Sequence, residues 1–111
     1  MIAIAHHNDS LPLEQLMANS DDAAVLLKAM SHKSRLMIMC SLYTDELSVG
    51  ELNKIIPISQ SALSQHLAAL RQAGLVETRR KSQTIFYSIS SDACAAIIHA
   101  LKCHYCDIQA N

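Results

Sequence analysis

The sequence predicts a mainly α fold with one small β-hairpin, and three local patterns carry that expectation. Leu63, Leu67 and Leu70 form one apolar stripe on a short helix whose other face shows Gln60, Ser61, Ser64 and Gln65. Leu75 to Ile89 alternates as two strands with Arg79-Arg80-Lys81 at the tip. Ser48-Val49-Gly50-Glu51 has capping-box spacing, so a short helix stands before Pro57 and a turn leads from it into the polar-faced helix. Two helices joined by a turn and followed by a cationic hairpin give the order ααααββα, a winged helix-turn-helix.

Each element follows from its own residues. Met1 to Asp9 reads as a loose tail. From about Leu11 one helix is expected, with Pro12 in its first turn and Leu13, Leu16, Met17, Ala23, Ala24, Leu27 and Met30 at helical spacing. Ser31-His32-Lys33-Ser34-Arg35 interrupts it and opens a second helix that carries Leu36, Met39, Cys40 and Tyr43 on one face. Asp45-Glu46-Leu47 is a connector that can also supply one strand. The third helix runs to about Lys54, and Pro57 biases Ile56 toward extended backbone. Ser59 caps the fourth helix and Gly74 stops it. The strands are Leu75 to Arg80 and Thr84 to Ile89 around Lys81-Ser82-Gln83, and Ser90-Ser91-Asp92 caps a last helix to about Cys106. The domain is thus expected over 11–108, between tails at 1–10 and 109–111.

With 111 residues, half of them apolar, there is room for one domain with one core. No apolar run reaches the roughly 18 residues needed to cross a membrane, so no membrane partner is expected. Met1 to Ser10 lacks the basic and apolar regions of a secretory signal, so a cytoplasmic location is expected. The four cysteines are then expected as thiols. The first and last helices hold more Ala, Leu and Ile than so small a core needs, which points to a homodimer built from them.

The net charge of −1 does not advertise nucleic-acid binding, but its distribution does. Arg71, Arg79, Arg80 and Lys81 cluster around the hairpin against one acid, Glu77, while Glu14, Asp21, Asp22, Asp45, Glu46 and Glu51 lie elsewhere. A cationic hairpin alone would read as a solvated surface. Beside a helix face of small hydrogen-bonding side chains it reads as a double-stranded DNA site. Ser61, Ser64 and Gln65 are expected in the major groove, with Gln60 and His66 at its edges. Ser59, Arg71, Arg79, Arg80, Lys81, Gln83 and Thr84 are expected on the sugar-phosphate backbone or in the minor groove.

Leu47 to Leu52, Ser59 to Leu67, Gly74-Leu75-Val76 and the hairpin resemble the ArsR/SmtB family of bacterial repressors. Leu26 to His32, Cys40 and Tyr105-Cys106 resemble, within it, the HlyU/BigR/SqrR/YgaV branch, whose members regulate transcription in response to reactive sulfur. The resemblance implies a homodimeric repressor or anti-repressor on an imperfect inverted repeat. It also implies that Cys40 and Cys106 react with persulfides and become joined by a disulfide or polysulfide, after which DNA affinity falls. No cofactor is implied.

Judged by themselves, the thiols have plainer readings. Cys40 lies on an apolar stripe and reads as a small buried hydrophobe. Cys106 ends a helix, where exposed carbonyls disfavour a thiolate, and Lys102 one turn earlier offsets that in part. Cys103 makes a C-x-x-C with Cys106 and is a candidate accessory or resolving thiol; Cys94 reads as core or interface. The rival reading is a metal-responsive repressor with His99, Cys103 and Cys106 at i, i+4, i+7. Against it, the family's thiolate sites carry cysteines where this chain has Ser48 and Gly50. Of the family's last-helix site, His104 and Asp107 remain, but Ser91 and Ala93 stand at the other half. A thiol redox enzyme is a distant third, because the C-x-x-C ends a helix instead of preceding one. No phosphate loop, nucleophile elbow or paired carboxylates favour any other enzyme, and a module that ignores DNA would leave the basic hairpin unexplained.

Overall fold

A computed structural model of the chain describes residues 10–106. The expected tail 1–9 and the stretch 107–111 lie outside the described residues. The elements are α1 (Ser10–Ala18), α2 (Ser20–Met30), α3 (Lys33–Thr44), β1 (Leu47–Ser48), α4 (Val49–Ile55), α5 (Gln60–Gln72), β2 (Val76–Lys81), β3 (Thr84–Ile89) and α6 (Asp92–Tyr105). This is the mainly α architecture with a hairpin wing that the sequence predicts. No helix among the described residues is long and apolar enough to cross a membrane.

The first expected helix is two. It breaks at Asn19, whose side-chain amide donates to the Gln15 carbonyl at 2.7 Å, while the Ser20 hydroxyl donates to the Met17 carbonyl at 2.9 Å. Asn and Ser side chains compete with the backbone for such groups, and here they end one helix and begin the next. Apolar periodicity runs through this break and does not reveal it.

α3 starts on His32, whose ring nitrogen accepts from the Ser34 amide at 3.1 Å. Its innermost residues are Ile38, Met39 and Leu42, and Leu36, Cys40 and Tyr43 are partly buried beside them. The expected stripe is therefore one flank of the buried face. α3 packs against α5, α6 and β3 together, so its apolar sector is wider than one stripe.

The connector does supply a strand: Leu47 pairs with Tyr87 and Ser48 with Phe86, giving an antiparallel sheet in the order β1-β3-β2. The capping box of α4 forms as expected, with the Glu51 amide donating to Ser48 Oγ at 3.2 Å and the Ser48 amide to the Glu51 carboxylate at 2.9 Å. Ile56 is extended before Pro57. Asn53 holds the turn by donating to the Ile58 carbonyl at 2.8 Å.

α5 is capped by Ser59, which accepts from the Ala62 amide at 3.1 Å, and Leu63, Leu67 and Leu70 are fully buried. At its end Gly74 takes φ 78°, the Leu75 amide returns to the Leu70 carbonyl and the Gly74 amide to Arg71. These are the two bonds of a Schellman stop, and the positive φ is why glycine stands there. The hairpin is tighter than expected: Lys81 pairs with Thr84, so the turn is Ser82-Gln83 alone, with Ser82 at φ 57°. α6 is capped by Ser91, buries Cys94 and Ile98, and ends one residue earlier than expected, leaving Cys106 as its cap.

Candidate nucleic-acid interface and cysteine site

The burial of Leu63, Leu67 and Leu70 turns the other side of α5 outward. Gln60, Ser61, Ser64 and Gln65 are all exposed, as is Arg71 near the helix end. Ser61, Ser64 and Gln65 stand three and four residues apart, so they share one face. Ser59 spends its hydroxyl on the cap, 3.3 Å from that of Ser61.

His66 does not share that face. It is half-buried, its Nδ1 accepts from Arg35 Nε at 3.2 Å, and its ring lies 4.4 Å from that of His32. Arg35 also donates to the Ala29 carbonyl at 3.2 Å, so one guanidinium ties the α2–α3 junction to α5. Burial, and then the charges of His32 and Arg35, hold the His66 imidazole below its usual titration. In the sequence, Ser31 to Arg35 reads only as a helix break; a cation close to the start of a new helix carries no local sign of such a partner.

In the wing, Arg79 donates to both carboxylate oxygens of Glu46, at 3.0 and 2.7 Å, and lies over the Phe86 ring. The same contact lowers the Glu46 carboxyl and raises the Arg79 guanidinium. Arg80 donates to the Ser82 carbonyl at 3.3 Å and is exposed, as are Lys81, Gln83 and Thr84.

All four cysteines are free thiols. Cys94 is core: it is fully buried, its Sγ lies 3.3 Å from Met39 Sδ, and burial pushes its thiol up. Cys40 is half-buried at the seam of α3 with α6, and burial raises its thiol too. Lys102 offsets part of that rise, and Cys106 adds a smaller part to it. Lys102 Nζ donates to the Cys40 carbonyl at 3.4 Å and sits over the Tyr43 ring. Cys106 itself is exposed.

The expected metal stripe is brought together only in part. His99 Nε2 lies 3.4 Å from Cys103 Sγ, and its Nδ1 is 2.7 Å from the Tyr43 hydroxyl. Among the described residues no three His, Cys, Asp or Glu side chains gather to hold an ion. His104 is exposed, and Asp107 lies outside the described residues.

Residues 32–78, from the cap of α3 into β2, match the family model described as bacterial regulatory protein, arsR family. The chain is 54% identical over 99 residues to the transcriptional activator HlyU of Vibrio cholerae, covering 89% of this chain and 90% of that one. It is 50% identical over 95 residues to the HTH-type transcriptional regulator YgaV of Escherichia coli, covering 85% and 96%. The crystal structure of the transcriptional repressor BigR from Xylella fastidiosa superposes with a TM-score of 0.78 at 43% identity, over 86% of this chain and 97% of that one. An outward polar helix face beside a cationic wing, on this fold and with these relatives, has one reading: the chain belongs to the ArsR family of bacterial regulatory proteins and is a DNA-binding transcriptional regulator, not an enzyme.

Proposed function

We propose that the protein is a homodimeric repressor that holds an imperfect inverted repeat and releases it when reactive sulfur links Cys40 to Cys106. The observation that carries this reading is that Lys102 reaches both cysteines across the α3–α6 seam: its Nζ donates to the Cys40 carbonyl at 3.4 Å, and its own carbonyl accepts from the Cys106 amide at 2.8 Å. Relatives named both activator and repressor fit a DNA-binding switch whose output depends on the promoter it occupies.

In the proposed contact set Ser61, Ser64 and Gln65 read base edges, with Gln60 at the rim. Ser59, Arg71, Arg80, Lys81, Gln83 and Thr84 meet the sugar-phosphate backbone, and Arg79 joins them with its charge shared with Glu46. The dimer uses the apolar surface left open: Leu13, Leu16, Met17 and Val25 are 57–64% exposed, and a groove of about 330 Å³ is lined by Leu27, Met30, Leu36, Ile97 and Leu101. Two-fold symmetry then presents two α5 helices to two half-sites.

The chemistry balances without a cofactor. A sulfane sulfur arrives on Cys106 from a low-molecular-weight persulfide, which leaves as its parent thiol. The Cys40 thiolate attacks the inner sulfur of the Cys106 persulfide, forms the disulfide and expels hydrogen sulfide. If both thiols carry sulfur, attack of one terminal sulfur on the other's inner sulfur leaves a trisulfide and again expels hydrogen sulfide. The link tethers a core helix to the end of α6. A coupling of about 1–3 kcal/mol would lower operator affinity about 5–150-fold.

Intact-mass and peptide mapping of the reduced, metal-free protein tests this, with glutathione persulfide in one arm and glutathione disulfide in the other. A Cys40–Cys106 link formed only with persulfide, together with loss of operator binding, is expected. Retention of full binding by the linked protein would reject the switch. Zinc retained in native mass spectra and no sulfur adduct would favour a metal site on His99 and Cys103 instead.

A further inference from the structure

Among the described residues, Cys103 is the one thiol with an imidazole against it. His99 Nε2 stands 3.4 Å from Cys103 Sγ one helical turn away, and the opposite ring nitrogen is 2.7 Å from the Tyr43 hydroxyl on α3. A nucleophile beside a base that a third group orients is the arrangement that activates thiols for attack. The step uses the tautomer in which Nδ1–H donates to the Tyr43 hydroxyl, which leaves Nε2 to accept the S–H proton. Tyr43 is fixed in turn by Lys102, whose Nζ lies 5.4 Å from its ring centroid. Cys103 is half-buried yet open in part to solvent, and the exposed Cys106 follows three residues later at the helix cap.

We propose that Cys103 is the entry thiol, the cysteine that first takes sulfur from a small persulfide and hands it to Cys106. The Cys103 sulfur attacks the outer sulfur of the persulfide, the S–S bond breaks, and the parent thiolate leaves. His99 receives the Cys103 proton and returns it to the leaving thiolate. The Cys106 thiolate then attacks the outer sulfur on Cys103, becomes the persulfide, and regenerates the Cys103 thiolate. No electrons are gained or lost overall, because one sulfane sulfur moves between thiols. Residues i and i+3 of a helix have Cβ atoms about 5–6 Å apart, and Cys106, already outside the helix, can close that gap. Cys40, raised by burial and carried on another helix, is left with the closing step. The hand-over rests on the sulfur-sensing reading, whereas the reactivity of Cys103 does not.

Tyr43 on α3 faces His99 directly, and Lys102 on α6 lies over the Tyr43 ring while donating to the Cys40 carbonyl. Mass-mapped labelling of the reduced full chain with iodoacetamide at about pH 6.5 tests the entry thiol. Cys103 should label fastest, and His99→Gln should slow it about ten-fold or more, the two proteins converging at alkaline pH where thiols ionise unaided. Tyr43→Phe should give a smaller loss in the same direction. Unchanged binding of DNA by each reduced variant verifies its fold. With glutathione persulfide, Cys103→Ser should form the Cys40–Cys106 link about ten-fold more slowly but to the same extent. Equal labelling in wild type and His99→Gln, or an unchanged linking rate in Cys103→Ser, overturns the entry role and leaves sensing intact. Sulfur captured on Cys103 in a wild type that never forms the Cys40–Cys106 link overturns the sensing reading and the hand-over with it, and supports only the reactivity of Cys103.

Discussion

Arg79 on β2 grips Glu46, the residue before β1, through two charge-assisted hydrogen bonds of 3.0 and 2.7 Å. The pair pins the wing to the strand that leads into α4, and it also occupies one of the cations nearest the hairpin tip. Both side chains are solvent-accessible, so the contact is a weak source of stability and matters chiefly for where charge and wing are held.

That pairing predicts an asymmetry among the wing cations. Arg80→Ala and Lys81→Ala should each lower the log-log salt slope of DNA binding by about 1 for every phosphate left without its cation. Arg79→Ala should lower it less, and Glu46→Gln should strengthen binding to any DNA sequence by releasing the Arg79 charge. Fluorescence anisotropy over a salt series measures all four; equal slopes for Arg79→Ala and Arg80→Ala would remove the distinction.

Gln65 should behave differently. An amide that bridges one adenine contributes about 1–3 kcal/mol of discrimination. Gln65→Ala should therefore flatten preference at one operator position in each half-site while leaving the salt slope unchanged. A selection experiment on randomised operators reads this, and uniform weakening across sequences would place Gln65 on the backbone instead.

His66 makes stability depend on acid. Its titration is lowered on folding, so its contribution is fully present above the unfolded value of about 6.5 and is lost as pH falls through the lower folded one. Charging it would break the bond from Arg35 Nε and set a second cation against the Arg35 guanidinium, with the His32 ring 4.4 Å away. Urea midpoints of wild type should fall between about pH 7 and pH 5 by more than those of His66→Gln, whose amide oxygen can still accept from Arg35. Parallel falls would assign the acid sensitivity to other groups.

On the proposed switch, Lys102 should govern how readily Cys40 closes the link. Its charge offsets the rise that burial imposes on the Cys40 thiol. Lys102→Met should thus slow Cys40–Cys106 closure several-fold at about pH 7 and much less near pH 11, above the raised titration of the thiol. Quenched-flow mass spectrometry checks the rate at both values. No difference at neutral pH would mean that the Cys40 thiolate is not the closing nucleophile.

The cysteines that burial raises, Cys40 and Cys94, also set an alkaline limit on stability. Both favour the neutral thiol when folded, so their contribution is present below about 8.5 and is lost as pH rises through their higher folded values. Cys94→Ala should remove the share of that alkaline loss that arises in the core. Chemical denaturation at about pH 8 and pH 10 shows it; an unchanged loss would assign it elsewhere.

Local features were legible in the chain alone. The stripe of Leu63, Leu67 and Leu70, the caps at Ser48, Ser59 and Ser91 and the stop at Gly74 each need only residues within one or two helical turns. All of them stand where the spacing puts them. The outward face of α5 follows from the same periodicity, because burying one side of a helix exposes the other. The break at Asn19 escapes that logic, since two side-chain hydrogen bonds interrupt a helix without disturbing its apolar rhythm.

Pairings between distant residues came from the tertiary fold. Arg35 meets His66, Tyr43 meets His99, and Glu46 meets Arg79 across 31, 56 and 33 positions of chain. Such contacts depend on how α3 crosses α5 and α6 and on how β1 joins the sheet, and periodicity carries no record of those docking angles. For that reason His66 could be placed on its helix but not given its partner. Cys103 could likewise be seen as half of a C-x-x-C, but not as the thiol lying against an imidazole.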